Sequence, residues 1–143
     1  MNIITYEEVF MIKAISDAEW DVMRIVWTDG NVTVDDIANK IDPKHGWQLA
    51  TIKTLLGRLV KKDMLSTERD GRKYVYSAKM SECEAAREMA DEFADKICTK
   101  QRASAIAELI RRSDFTQEDI QMLKDVLDHK TVETKVECNC VHD

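Results

Sequence analysis

Two thiols one residue apart, Cys138 and Cys140 in the run Cys138-Asn139-Cys140-Val141-His142, are the sharpest chemical feature of this sequence. Alternate side chains of an extended segment point the same way, so the pair can grip one soft ion, and thiolate is a favoured donor for Cu(I) and Zn(II). Zinc takes four ligands, which makes a single Cys-x-Cys half of a tetrahedral site. A symmetric partner chain can supply the other half, or His142 can add a third ligand from the same chain. The plain alternative is an incidental pair in a tail; the rarity of cysteine and the redox liability of exposed thiols weigh against it. Cys83 and Cys98 fall within helical patterns and read as packing thiols.

A second feature runs from Gln48 to about Lys62. Ile52, Leu55, Leu56 and Leu59 fall on one helical face, and Ala50, Thr54, Gly57 and Lys61 on the opposite one. Thr51 and Arg58 flank the outer face on one side and Lys53 on the other. Small, hydrogen-bonding residues ringed by cations suit base edges and phosphates: threonine offers a methyl and a hydroxyl, and Lys and Arg meet phosphate or guanine. Trp47, just upstream, either packs over a sugar-phosphate edge or serves as a half-buried staple. Downstream, Leu65 to Arg69 and Arg72 to Ser77 are strand-like runs around Asp70-Gly71, a hairpin signal whose tight turn needs positive φ at both central positions. Arg69, Arg72 and Lys73 cluster at its tip.

The 143 residues carry 21 Lys and Arg against 27 Asp and Glu, a net charge of −6 that argues against nucleic acid. Its distribution argues the other way. Residues 1–43 hold three basic and nine acidic side chains, residues 44–80 nine and three, and residues 81–143 nine and fifteen. One basic block thus lies between two acidic ones, and it coincides with the cationic helix and hairpin.

The elements that must position these groups are mostly helical, as one Pro and four Gly imply. Ser16-Asp17-Ala18-Glu19 is a capping box opening a helix with Ala18, Val22, Ile25 and Val26 inward, ending near Asp29-Gly30. Trp20 and Trp27 on it read as core. Thr33 caps a shorter helix with Ile37, Ala38 and Ile41 inward, stopped before Pro43. With the third helix and the hairpin, residues 15–80 read as a winged helix-turn-helix whose last helix enters the major groove. Residues 81–130 read as a helical dimerisation region: Cys83, Ala86, Ala90, Phe93 and Ile97 share one face, Ala103, Ile106, Ala107 and Ile110 a second, and Ile120, Leu123, Val126 and Leu127 a third, in a helix opened by Thr116 and Asp119. Three stripes in some 50 residues need a second copy to cover them. Residues 131–143 read as a flexible metal-binding tail, and residues 1–14 as an N-terminal extension with Met11 as an alternative start.

No long apolar run suggests a membrane span or signal segment, so the expected compartment is the reducing cytoplasm, where the cysteines are thiols. No enzyme constellation emerges: His45, His129 and His142 have no motif linking them to a nucleophile, and phosphate-cradling glycine loops and HExxH are absent.

The runs Ile15-Ser16-Asp17-Ala18-Glu19-Trp20-Asp21-Val22-Met23, Val26-Trp27, Trp47-Gln48-Leu49-Ala50-Thr51-Ile52-Lys53-Thr54-Leu55-Leu56 and Arg58-Leu59-Val60-Lys61-Lys62 resemble the penicillinase-repressor family of winged-helix regulators, over residues 15 to 129. The Cys-x-Cys tail is similar to that of its copper-responsive CopY-type branch. The resemblance implies a homodimer on a palindromic double-stranded operator, repressing copper-export genes, bound when zinc-loaded and released by Cu(I). It assigns DNA contact to Thr51, Lys53, Thr54 and Arg58, a backbone-following wing to Arg69 through Lys73, and metal to Cys138 and Cys140. A copper chaperone delivering Cu(I) is a further expected partner; a membrane is not. That branch usually carries two Cys-x-Cys pairs and this sequence one, which leaves three options: pooling across the dimer, help from His142, or weaker copper sensing. Alternatives are an antibiotic-responsive repressor of the same family, switched by proteolysis, and a copper- or zinc-handling protein that does not bind DNA.

Overall fold

The computed structural model describes residues 15–141, so the expectations for residues 1–14 and for His142 as a ligand lie outside the described residues. The chain divides into two compact units, one up to Ala90 and one from Asp91 onward.

In the first unit, α1 (Asp17–Asp29), α2 (Val34–Lys40), a 3-10 turn (Pro43–His45) and α3 (Leu49–Lys61) are followed by β1 (Leu65–Asp70), β2 (Lys73–Ala78) and the start of α4 (Glu82–Lys96). The order is that of a winged helix-turn-helix. Val22, Met23 and Val26 of α1, Ile37 of α2 and Ile52, Leu55, Leu56 and Leu59 of α3 bury together with Val32, Met64, Leu65, Met80 and Ala85. Each such aliphatic side chain contributes roughly 1.5–3 kcal/mol by leaving water. Ala18, Ile25, Ala38 and Ile41, also expected inward, are only half buried. Trp20 and Trp27 pack against this core with ring centroids 5.5 Å apart, and Trp27 Nε1 donates to the Met80 carbonyl at 2.9 Å.

Local chemistry fixes the element ends. Thr33 caps α2 reciprocally: its Oγ1 accepts from the Asp36 N–H at 3.2 Å, and its own N–H donates to Asp36 Oδ2 at 2.8 Å. The Thr33 backbone N–H, and after it the Thr33 hydroxyl, hold the Asp36 carboxyl below its ordinary range. After α3, Met64 N–H bonds to the Leu59 carbonyl and Asp63 N–H to that of Val60, a Schellman closure with Asp63 at φ 61° in the position usually given to glycine. The Asp63 carboxylate pairs with Lys79. Val32, between α1 and α2, exchanges two backbone bonds with Tyr76 of β2 (3.0 and 2.8 Å), tying the wing to the helices.

The structure departs from the sequence pattern at two places. The hairpin turn is one residue further on: Asp70 pairs with Lys73, so Gly71 and Arg72 form the turn, and of these only Gly71 takes positive φ (64°). A turn with glycine at the first central position relieves Asp70 of the left-handed conformation. The capping box at Ser16 is also only half made. Ser16 Oγ accepts from the Glu19 N–H at 3.2 Å, but the Glu19 carboxylate turns inward to Lys62 Nζ at 2.8 and 2.6 Å, joining the start of α1 to the end of α3.

In the second unit, the end of α4 leads through a 3-10 turn (Thr99–Gln101) to α5 (Arg102–Arg111) and α6 (Gln117–Asp128), and residues 130–141 have no regular structure. Thr116 and Asp119 form a complete capping box at the start of α6, as Ser81 and Glu84 do at the start of α4. The Arg102 guanidinium donates twice to the Ala94 carbonyl, at 3.2 and 2.8 Å, bracing the bend between α4 and α5. The buried residues of α4 are Ala85 and Glu88, whereas Cys83, Ala86, Ala90 and Phe93 of the expected face are exposed and Ile97 is half buried. Neither α5 nor α6 buries any residue, and Ile106, Leu109, Met122, Val126 and Leu127 are each more than half exposed. Among the described residues no helix is long and apolar enough to cross a membrane.

The Glu19–Lys62 pair is testable through Trp20 and Trp27 fluorescence in urea. Lys62→Met removes the cation facing a carboxylate whose side chain is 3% exposed, and should lower the stability of the first unit by about 3 kcal/mol. Adding Glu19→Leu should restore most of the loss; a neutral Lys62→Met alone would show that the pair does not hold the two helices.

Candidate nucleic-acid interface and thiol cluster

Burial of the Ile52, Leu55, Leu56 and Leu59 face turns the rest of α3 outward, and Ala50, Thr51, Lys53, Thr54, Gly57, Arg58 and Lys61 are all exposed. The first turn carries no acidic residue, so the partial positive charge of the helix N-terminus adds to the side-chain cations. Thr54 Oγ1 donates to the Ala50 carbonyl at 3.0 Å, which uses its proton inside the helix and presents its methyl and lone pairs outward. Among the described residues a Cβ at Gly57 would meet nothing within 4 Å, so no contact with them requires glycine there.

The wing lies beside this helix. Lys53 and Leu49 of α3, Thr33 to Asp35 at the start of α2, and Arg72, Lys73, Tyr74 and Tyr76 line an open groove of about 470 Å³. Arg72 and Lys73 are exposed at its rim. Arg69 folds back on the wing: its Nε donates to the Gly71 carbonyl at 3.1 Å and its guanidinium lies 5.8 Å from the Tyr74 ring centre. Trp47 is half buried against the core and stacks on His45 at 4.1 Å, with His45 Nε2 3.1 Å from the Asp21 carboxylate. Those contacts fit a staple. Of the nine basic residues between 44 and 80, Lys62 and Lys79 face Glu19 and Asp63, leaving Lys44 of the 3-10 turn and the cations of α3 and the wing to set the surface charge.

In the second unit, Cys138 and Cys140 come together with Cys98, and the three Sγ atoms lie within 4.8 Å of one another. Cys98 is not a packing thiol of a helix. It sits in the break between Lys96, the end of α4, and the Thr99–Gln101 turn, half exposed, with its Sγ 3.5 Å from that of Cys138. Cys83, the other expected packing thiol, belongs to the first unit and is exposed. The tail is held at this bend: Thr99 N–H donates to Asn139 Oδ1 at 3.0 Å and the Thr99 hydroxyl to the Glu137 carbonyl. The Lys100 backbone N–H, with Cys140 and Cys138 after it, lowers the Cys98 thiol to about 7; Cys138 and then Cys98 push Cys140 up to about 11. Proximity therefore makes one thiolate easy to form and the last one hard, as expected of like charges sharing a small space.

Sequence reasoning missed Cys98 because its 40-residue separation from Cys138 has no local signature. The bend at Ile97 to Cys98, where the apolar period of α4 lapses, was the available signal.

Residues 15–129 match the penicillinase repressor family. The "Uncharacterized 16.5 kDa protein in ptsI 3'region" of Latilactobacillus sakei is 40% identical over 129 residues, 89% of this chain and 88% of that one. The penicillinase repressor of Bacillus licheniformis is 27% identical over 120 residues, 83% of this chain and 94% of its own. A solved chain described as "CopR Repressor Structure" is 55% identical and covers 47% of this chain and 97% of that chain, with a TM-score of 0.42. The family is one of repressors and not of enzymes, and this chain belongs to it: it is a DNA-binding transcriptional repressor of the penicillinase repressor family.

Proposed function

We propose that this repressor binds a palindromic operator as a homodimer and is metal-responsive, holding DNA when its tail thiols carry zinc and leaving it when they exchange zinc for Cu(I), so that copper-export genes come under its control. The gathering of three thiols at the α4–α5 bend carries the metal reading. It is the donor chemistry that soft ions select. In the fit to DNA, α3 enters the major groove. Thr51 meets base edges or phosphate, Thr54 meets base edges through its methyl and lone pairs, Lys53, Arg58 and Lys61 meet phosphate or guanine, and Ala50 and Gly57 allow close approach. Arg72 and Lys73 follow the backbone from the wing, with Arg69 adding charge from its place on Tyr74 and Trp47 bracing the start of α3.

The dimer reading rests on the apolar side chains that α5 and α6 leave in water, Ile106, Leu109, Met122, Val126 and Leu127 among them. A symmetric copy covers such stripes at the least cost, and two α3 helices about 34 Å apart then meet successive half-sites. The name of the Bacillus licheniformis relative favours a second reading, response to an antibiotic; the thiol cluster would have no part in it. Family membership removes the reading in which DNA is not bound, and neither the fold nor the relatives support a copper chaperone.

Three outcomes are expected. In gel shifts with a palindromic promoter fragment, the zinc-loaded protein should bind and Cu(I) should release it, and deletion of residues 131–143 should abolish the release; a truncated protein that still lets go would place the sensor elsewhere. Lys53→Ala or Thr54→Ala should weaken operator binding by about 1–3 kcal/mol, with the lysine change lowering the salt slope by about one; unchanged binding at moderate salt would refute the assignment of α3. Leu127→Glu should yield monomers in sedimentation without loss of helix, and a persistent dimer would contradict the proposed interface.

A further inference from the structure

We infer that Cys98 is the third ligand of a three-thiolate Cu(I) site formed within one chain, which fastens the tail to the bend between α4 and α5. The inference rests on the metal-responsive reading above and specifies its ligand set, stoichiometry and point of action.

Geometry is the first support. Metal–thiolate bonds of about 2.3 Å hold sulfurs somewhat under 4 Å apart, and Cys98 and Cys138 stand at 3.5 Å with Cys140 inside the same 4.8 Å cluster. A small adjustment of exposed side chains closes the set. The polypeptide itself brings the tail there: on either side of Cys138, Glu137 accepts from the Thr99 hydroxyl and Asn139 from the Thr99 N–H. These bonds link the residue after Cys98 to both neighbours of Cys138, so they fix the register of the pair against the third thiol. The Cys140 N–H points at Cys138 Sγ, 3.4 Å away, a donor of the kind that stabilises a metal-bound thiolate.

The composition of the cluster then discriminates between ions. No carboxylate or imidazole of the described residues joins it. Three soft donors suit Cu(I), whereas Zn(II) wants a fourth ligand from elsewhere. One chain therefore binds one Cu(I) without borrowing thiols from its partner, which answers how a sequence with a single Cys-x-Cys completes a site. The regulatory consequence is local: closing the three sulfurs around one ion ties Cys138 and Cys140 to the turn that sets the direction of α5.

The test is X-ray absorption at the copper edge on the full-length protein loaded with one Cu(I) per chain, with affinity measured by competition against bathocuproine disulfonate. Wild type should show three sulfur neighbours and Cys98→Ser two, with affinity lowered by roughly 100-fold; Cys83→Ser should match wild type. Two or four sulfurs in wild type, or Cys98→Ser with unchanged affinity, would overturn the inference, and the wild-type sulfur count decides by itself if the variant misfolds. Operator release read in parallel separates this from the proposed function. Three sulfurs without release would leave the site standing and refute the copper response; equal release of wild type and Cys98→Ser would leave the response standing and refute the role of Cys98.

Discussion

The exposed cationic face of the first unit depends on one constraint, the burial of four aliphatic side chains on a single face of α3. Ile52, Leu55, Leu56 and Leu59 are all at or below 5% exposure, so the helix cannot rotate without bringing them into water. Their fixed direction points Thr51, Lys53, Thr54 and Arg58 away from the core. The Schellman closure at Asp63 and the ion pair between Lys62 and the buried Glu19 secure the end of the same helix, and the Val32–Tyr76 bridge sets the wing beside it. The face proposed for recognition is thus the solvent side of a core-determined helix.

Charge follows the same division of labour. A net −6 would repel nucleic acid if spread evenly, but the positive block sits on α3 and the wing and the acid elsewhere. Within that block the fold withdraws Lys62 and Lys79 into pairs with Glu19 and Asp63. The remaining cations of α3 lie along one exposed face, where small residues let a partner approach. Gly57 is the clearest case: glycine costs a helix about 1 kcal/mol relative to alanine, and nothing among the described residues asks for it.

What the sequence made legible was local, and what it hid was long-range. The period of α3, the caps at Thr33 and Thr116 and the hairpin all depend on residues a few positions apart, and they appear as read, with the turn moved by one residue because Gly71 accepts positive φ more easily than Asp70. Glu19 satisfies the spacing of a capping box, yet an ion pair with a lysine 43 residues away takes its carboxylate. Cys98 has the same history. Its neighbours in sequence read as helix, and only the return of the tail to the α4–α5 bend gives it two thiol partners. The apolar stripes of α5 and α6 were visible as patterns, and their exposure here is why a second copy belongs in the account.

In the proposed function operator binding and thiol chemistry are linked in one molecule, and linkage is reciprocal: whatever factor Cu(I) removes from operator affinity, the operator must remove from Cu(I) affinity. The most direct measurement is therefore the Cu(I) affinity of the full-length protein with and without saturating operator, set beside the operator affinity with and without Cu(I). The proposed linkage requires two reductions by the same factor. A Cu(I) affinity indifferent to the operator would contradict it.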